Sequence, residues 1–363
     1  MSALDELLSH DRDPAPAIAD WRAEGGEVVG YVGADVPREL IAAAGFLPVR
    51  LRGAGPSTPF ADGVLGARVD QPVRAVLAEL LDPARERPDR LILCHDCDAT
   101  VRLFTSLRML GRLDGRLPDV HFFDLLHLPA PTTASYDLDR VHELAGVLAG
   151  WSGKPIGEAA LRAAIAEANE TRRLLGRLQA LRRGDPVRLS GSVALALIGA
   201  GTVLPAAGYN RLLAAFLEEE HAPVPSGRLV YLTGSGHVTT AAYLAIEAAG
   251  AAVVGEDHEW GEALADGLVA EGGDPFEAIS ARYHAGCALG RRHGSNVPAA
   301  WIAAEARAAG AELVVAWIRD GDDARAWDVP EQRRRVEEAG LQYEALDHRG
   351  LEPAGLREVV AAQ

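Results

Sequence analysis

Two of the three cysteines in this 363-residue chain lie in one short polar string, CHDCD, at residues 94–98. An apolar run at 90–93 precedes the string and a helix-like run at 99–104 follows it, so the cysteines are predicted to follow a central strand. Open α/β sheets build their sites at such strand ends, because the strand holds a residue rigidly and the turn exposes it. Thiols in this position could hold an iron–sulfur cluster, cycle as a dithiol, or have no chemical role.

The elements around this string indicate an α/β protein, since strand-like and helix-like runs alternate along the chain. Strands are predicted at 28–32, 47–51, 90–93, 120–125, 229–233, 251–254, 313–318 and 342–346, with helices between them that include 71–81 and 331–339. We expect an N-terminal α/β domain over 1–150, which carries Cys94 and Cys97, a helical linker over 151–225, and a C-terminal α/β domain over 226–363. The predicted fold is two Rossmann-like or flavodoxin-like parallel-sheet domains joined by a helical segment.

Composition excludes several classes of protein. The chain has 48% hydrophobic and 24% charged residues, which is typical of a globular protein. Its net charge of −16 argues against nucleic acid or an anionic membrane as a partner. No apolar run approaches the ~20 residues of a spanning helix, and the acidic N-terminus does not resemble a signal peptide. The expected location is the cytoplasm, where thiols stay reduced unless they bind metal.

Strings along most of the chain carry a family resemblance. The opening strand, helix and second strand at 30–32 and 36–50, and the pair Cys97 and Asp98, resemble the 2-hydroxyacyl-CoA dehydratase and benzoyl-CoA reductase family. Further similar strings are ANETRRLL at 168–175, LSG at 189–191, VVGEDHEWG at 253–261, DP at 274–275 and ARY at 281–283.

The resemblance implies a subunit that pairs with a related sister subunit and binds an acyl-CoA thioester beside a [4Fe–4S] cluster. It also implies lyase chemistry that begins with one low-potential electron, which an ATP-dependent activator protein supplies. The electron converts a 2-hydroxyacyl thioester into a ketyl radical and thereby acidifies a β-proton. Protein thiolates would hold the cluster and tune its potential.

The sequence departs from this family at two places where further cluster cysteines are expected. The segment 66–72 reads GARVDQP and the segment 317–322 reads WIRDGD, so neither contains cysteine. Asp70 and Asp320 are the nearest polar residues, and carboxylate is a poorer ligand than thiolate for such a cluster. The alternative ligand set is Cys94, Cys97 and Cys287, although Cys287 could equally be a small buried residue.

Three other groups are candidates for the site. Gly234, Ser235 and Gly236 lie between a strand and a helix, where backbone amides could hold a phosphate of CoA or simply form a tight turn. Glu39 is a candidate catalytic carboxylate, with stabilisation of its helix terminus as the alternative. The acidic string at 256–262 is expected to be a solvated or substrate-facing loop rather than a metal site.

Three hypotheses follow. The first is a subunit of a 2-hydroxyacyl-CoA dehydratase-like or benzoyl-CoA reductase-like enzyme that acts at its own cluster. The second is a non-catalytic subunit that lacks a cluster and supports a related, cysteine-complete subunit. The third is an unrelated α/β protein that uses Cys94 and Cys97 as a redox dithiol or binds some other ligand.

Overall fold

The computed structural model describes residues 2–113, 115, 117–285, 296–350 and 354–361. Within these residues it contains the eight predicted strands, with ends that differ from the predicted ones by at most three residues. They are β1 (Val28–Val32), β2 (Leu47–Arg50), β3 (Arg90–Cys94), β4 (Asp119–Phe123), β5 (Leu229–Gly234), β6 (Ala252–Glu256), β7 (Leu313–Arg319) and β8 (Gln342–Arg349).

The strands form two four-stranded sheets of the same design. The orders are β2-β1-β3-β4 and β6-β5-β7-β8, and every neighbouring pair is parallel. The central strands β1 and β7 are buried along their whole length, as expected for strands covered on both faces. The predicted α/β class with two parallel sheets is therefore confirmed.

Helices cover the sheets and connect them. They are α1 (Ala3–Arg12), α2 (Ala15–Ala23), α3 (Arg38–Ala43), α4 (Pro59–Leu65), α5 (Gln71–Leu81), α6 (Asp98–Leu113), α7 (Pro131–Ser152), α8 (Glu158–Arg182), α9 (Gly191–Ala200), α10 (Ala206–Leu217), α11 (Ala241–Ala248), α12 (Pro275–Ala285), α13 (Asn296–Ala308), α14 (Asp323–Glu338) and α15 (Leu356–Ala361), with a 3₁₀ turn at Glu262–Ala265. Across the described ranges, no helix combines the length and apolar character needed to cross a bilayer.

The long helix α8 ties the two halves together. It packs against α3 of the first half and against the 3₁₀ turn at Glu262–Ala265 of the second. The N-terminal helix α1 packs on α9 and α10 within the helical segment, so the first residues of the chain contribute to that segment's core. The domain boundaries given above stay predictions.

The two sheets approach each other through the ends where their strands finish. Arg50 at the end of β2 donates to the carbonyl oxygen of Glu259, which follows β6, at 2.6 Å. Arg319 at the end of β7 pairs with Asp70, the residue before α5. Because parallel strands finish at one edge, this arrangement brings residues from both sheets to one cleft.

Candidate functional site

An interdomain cleft, formed by side chains that follow β2, β3, β6 and β7, is the candidate site. Its inner lobe is a cavity of about 50 Å³ lined by residues that include Arg50, Cys97, Thr100 and Trp260. Its outer lobe has a volume of about 510 Å³ and is lined by residues that include Arg68, Arg102 and Ala324. Asp70, Asp96 and Cys97 line both lobes, so the two lobes adjoin at these residues. Ligand sites in parallel α/β proteins occupy this position.

Cys94 and Cys97 have different surroundings. Cys94 ends β3, is 1% exposed and belongs to the apolar core of the first sheet. Gly33 passes directly over it with φ +101°, and a Cβ at that position would overlap the Cys94 Sγ. Cys97 is partly exposed and lines the cleft. Its carbonyl oxygen accepts from the Thr100 hydroxyl at 2.7 Å, which fixes the turn into α6. Only Cys97 of this pair lines the cleft.

A buried ion pair joins the two halves beside Cys97. Arg319 Nε donates to Asp70 Oδ1 at 2.9 Å and its Nη2 donates to Asp70 Oδ2 at 2.8 Å, a bidentate geometry. Both side chains are at most 8% exposed. Arg319 also donates to the carbonyl oxygen of Gly236. These residues come from the two segments in which the family resemblance leads us to expect cysteine.

The side chains that the structure describes do not fit a three-thiolate iron–sulfur site. Among the described residues, no group of three or more His, Cys, Asp and Glu side chains is arranged to hold a metal ion. Both oxygens of Asp70 accept from Arg319, and a guanidinium has no lone pair with which to bind iron. Cys287 lies outside the described residues. Cys94, Cys97 and Cys287 therefore stay predicted ligands without support from the described geometry.

The turn at Gly234, Ser235 and Gly236 packs against β7. Gly234 has φ +100°, and a Cβ there would overlap the carbonyl group of Trp317. The Ser235 hydroxyl is fully buried, donates to Asp322 Oδ2 at 2.7 Å and accepts from the backbone N–H of Arg319 at 3.0 Å. These packing contacts within the protein explain why glycine and serine occupy positions 234 and 235. Phosphate binding at this turn stays a prediction.

Glu39 lies in a buried polar cluster with residues of α8 and α12. Its Oε1 accepts from Arg172 at 2.5 Å and its Oε2 accepts from the Tyr283 hydroxyl at 2.9 Å. Burial alone would raise the pKa of Glu39, but the charges of Arg172 and Arg282 outweigh it and lower this pKa to about 2. Glu39 is therefore an ionised carboxylate at neutral pH. A catalytic role for it stays a prediction.

The acidic string that follows β6 is mostly buried, so the expectation of a solvated loop is wrong. Glu256, Asp257, His258 and Glu262 are each at most 5% exposed. Arg182, itself fully buried, forms ion pairs with two of them: its Nη2 lies 2.5 Å from Glu256 Oε2 and its Nη1 lies 3.3 Å from Glu262 Oε1. The sequence pattern could not reveal this burial, because Arg182 comes from the distant helix α8. Of the acidic residues in this string, Glu259 lines the cleft.

Arg50 and Trp260 are members of the site that the sequence did not single out. The Arg50 guanidinium carbon lies 3.6 Å from the centroid of the Trp260 ring, a cation–π contact across the cleft. Arg50 follows the last apolar residue of β2. A charged residue at the end of a strand was the one sequence feature that could have marked it as a site residue. Nothing in the sequence pairs it with a tryptophan 210 positions away.

Comparison with known proteins agrees with this architecture. The family model for the 2-hydroxyglutaryl-CoA dehydratase D-component matches residues 34–350. The chain is also similar to a benzoyl-CoA reductase subunit from Thauera aromatica, with 26% identity over 285 residues that cover 76% of this chain and 72% of the relative. These matches overturn the hypothesis of an unrelated α/β protein. The chain belongs to the 2-hydroxyglutaryl-CoA dehydratase D-component family.

Proposed function

We propose that this chain is a subunit of a cytoplasmic enzyme that acts on an acyl-CoA thioester, and that it binds the thioester in the interdomain cleft without a [4Fe–4S] cluster of its own. A related subunit with the full set of cysteines would hold the cluster, and an ATP-dependent activator protein would reduce it. Family membership and the similarity to a benzoyl-CoA reductase subunit support the acyl-CoA ligand.

The Asp70–Arg319 ion pair is the observation that carries this proposal. It lies in the cleft beside Cys97, at the position where further ligands of a cluster would have to lie. Freeing Asp70 to bind iron would leave the Arg319 guanidinium buried without its partner, which costs about 3–5 kcal/mol. The same pair joins the two halves of the chain, so the fold has a link there that needs no metal.

A cluster held by this chain is the second candidate. The position of Cys97 in the cleft favours it, because a thiolate there could reach a ligand bound between the sheets. Cys94 would have to leave the core in which it is 1% exposed, and Cys287 would have to supply the third thiolate. This candidate retains the ketyl radical chemistry of the family on this chain.

The thioester proposal is tested by calorimetric binding of butyryl-CoA to the purified full chain in the presence of a chelator. Ala324 lines the outer lobe, whereas Ala326 is exposed on the same helix α14 and does not line it. We expect Ala324→Trp to fill the lobe and weaken binding by about tenfold or more, and Ala326→Trp to leave it unchanged. Absence of binding by the natural chain, or equal effects of the two variants, would contradict the proposal.

A further inference from the structure

Arg50 is a buried cation whose hydrogen-bonding capacity is largely unused. It is 3% exposed, and among the described residues its guanidinium makes one hydrogen bond, from Nη1 to the carbonyl oxygen of Glu259 at 2.6 Å. Its Nε is buried and has no acceptor in the described part of the chain. A guanidinium carries five N–H donors, and leaving such donors buried without acceptors is costly.

Three other buried arginines show the usual solution, whereas Arg325, like Arg50, is buried without an ion pair among the described residues. Arg172 pairs with Glu39, Arg182 pairs with Glu256, and Arg319 pairs with Asp70. Arg50 has no carboxylate within ion-pair distance among the described residues. The charges of Glu259 and Asp96 act on it only from farther away, and burial lowers its pKa despite them. The molecule holds Arg50 in place through Trp260 and the Glu259 carbonyl rather than through an anion of its own.

The dimensions of the cleft determine which part of a ligand can reach Arg50. The inner lobe that Arg50 lines has a volume of about 50 Å³, which accommodates a carbonyl or carboxylate group and is too small for a nucleotide. The outer lobe of about 510 Å³ is large enough for the bulk of a cofactor-sized molecule. Since the two lobes adjoin at Cys97, we expect a ligand whose bulk lies in the outer lobe to extend its acyl end toward Arg50.

We propose that Arg50 binds an oxygen of the acyl portion of the thioester and thereby orients that portion in the inner lobe. This inference rests on the proposed function. The oxygen is either the thioester carbonyl, whose partial negative charge a guanidinium stabilises, or a carboxylate farther along the acyl chain. Trp260 stacks on the guanidinium and keeps it in the plane needed for this contact.

The test compares three probes by calorimetry on the full chain: glutaryl-CoA, butyryl-CoA and free CoA. If Arg50 binds the thioester carbonyl, Arg50→Gln weakens both thioesters by about tenfold or more and leaves free CoA unchanged. If it binds an acyl carboxylate, the loss is confined to glutaryl-CoA. Arg50→Lys keeps the positive charge but lacks the planar guanidinium group. It should therefore lose part of the affinity for the same thioesters that Arg50→Gln weakens.

Two controls separate binding from folding. Arg334→Gln removes an exposed guanidinium on α14 and should change no affinity. Thermal unfolding of Arg50→Gln should shift less than that of Arg319→Gln, because Arg50 has no ion pair to lose. Equal changes for CoA and both thioesters, or no change for any probe, would overturn the role of Arg50. Failure of the natural chain to bind either thioester would instead overturn the proposed function and this role with it.

Discussion

Loss of the buried ion pair between Asp70 and Arg319 is expected to destabilise the fold substantially. Asp70→Asn leaves the Arg319 guanidinium buried without a compensating charge, so we predict a loss of about 3 kcal/mol in the free energy of unfolding. Urea unfolding followed by tryptophan fluorescence measures this loss, provided that the slope of the transition is unchanged.

A surface ion pair provides the matched control. Glu331 contacts Arg334 on the exposed side of α14, and Glu331→Gln should shift the urea midpoint very little. The double variant Asp70→Leu with Arg319→Met removes both charges and should be more stable than Asp70→Asn alone. Equal shifts for Asp70→Asn and Glu331→Gln would show that the buried cleft pair contributes no more to the free energy of unfolding than an exposed ion pair does.

Asp257 should make the fold less stable as the pH rises. Burial raises its pKa from 3.8 to about 7, although Arg325 and the Thr233 hydroxyl act in the opposite direction. Above pH 3.8 the unfolded chain loses this proton while the folded chain keeps it, so stability falls until about pH 7 and then levels off. Asp257→Asn should therefore reduce the loss of unfolding free energy between pH 5 and pH 8 by an amount on the order of 2 kcal/mol.

The pKa of Glu262 is shifted in the same direction as that of Asp257, since burial and the neighbouring charge of Glu256 raise it. Asp257→Asn should consequently leave part of the pH dependence in place. Urea midpoints measured for both proteins at several pH values between 5 and 8 give the comparison. Parallel curves for the natural chain and the variant would show that Asp257 is ionised alike in the folded and unfolded states.

Among the elements, Gly33 lets the turn after β1 pass directly over Cys94 at the end of β3. Its φ of +101° and its contact with Cys94 both exclude a side chain, whereas Gly45 has φ +92° with open space around its Cβ position. Gly33→Ala should cost about 2 kcal/mol or more, and Gly45→Ala only the conformational cost of about 1 kcal/mol. The difference between their unfolding free energies isolates the overlap with Cys94, and equal values would mean that the core moves aside freely.

The elements themselves were largely predictable, because each depends on nearby residues. The helix predicted at 71–81 matches α5. The apolar runs at 90–93 and 313–318 correctly predicted β3 and β7. The sequence did not predict α1, α2, α4, α12 or α15, and it placed the start of α14 near residue 331 rather than at Asp323. Pro330 and the many charged residues conceal its first half, since proline normally opens a helix rather than lying within one.

At the scale of the whole molecule, the sequence predicted a candidate site at a strand end but could not predict how the cleft is assembled. The string at 94–98 indicated a strand end, and the cleft is indeed lined by Cys97. The contacts that complete the cleft join residues far apart in the chain: Asp70 with Arg319, and Arg50 with Trp260. Such pairs depend on how the two sheets face each other, which local patterns do not encode.

The iron stoichiometry of the full chain decides whether it holds a cluster of its own. The full chain would be incubated anaerobically with ferrous iron and sulfide, desalted, and assayed for iron and acid-labile sulfide. The buried Asp70–Arg319 pair and the core position of Cys94 predict well below about one iron per chain, with no broad absorption near about 400 nm. About four irons and four sulfides per chain, lost in Cys97→Ser, would contradict the proposal that this chain has no cluster of its own.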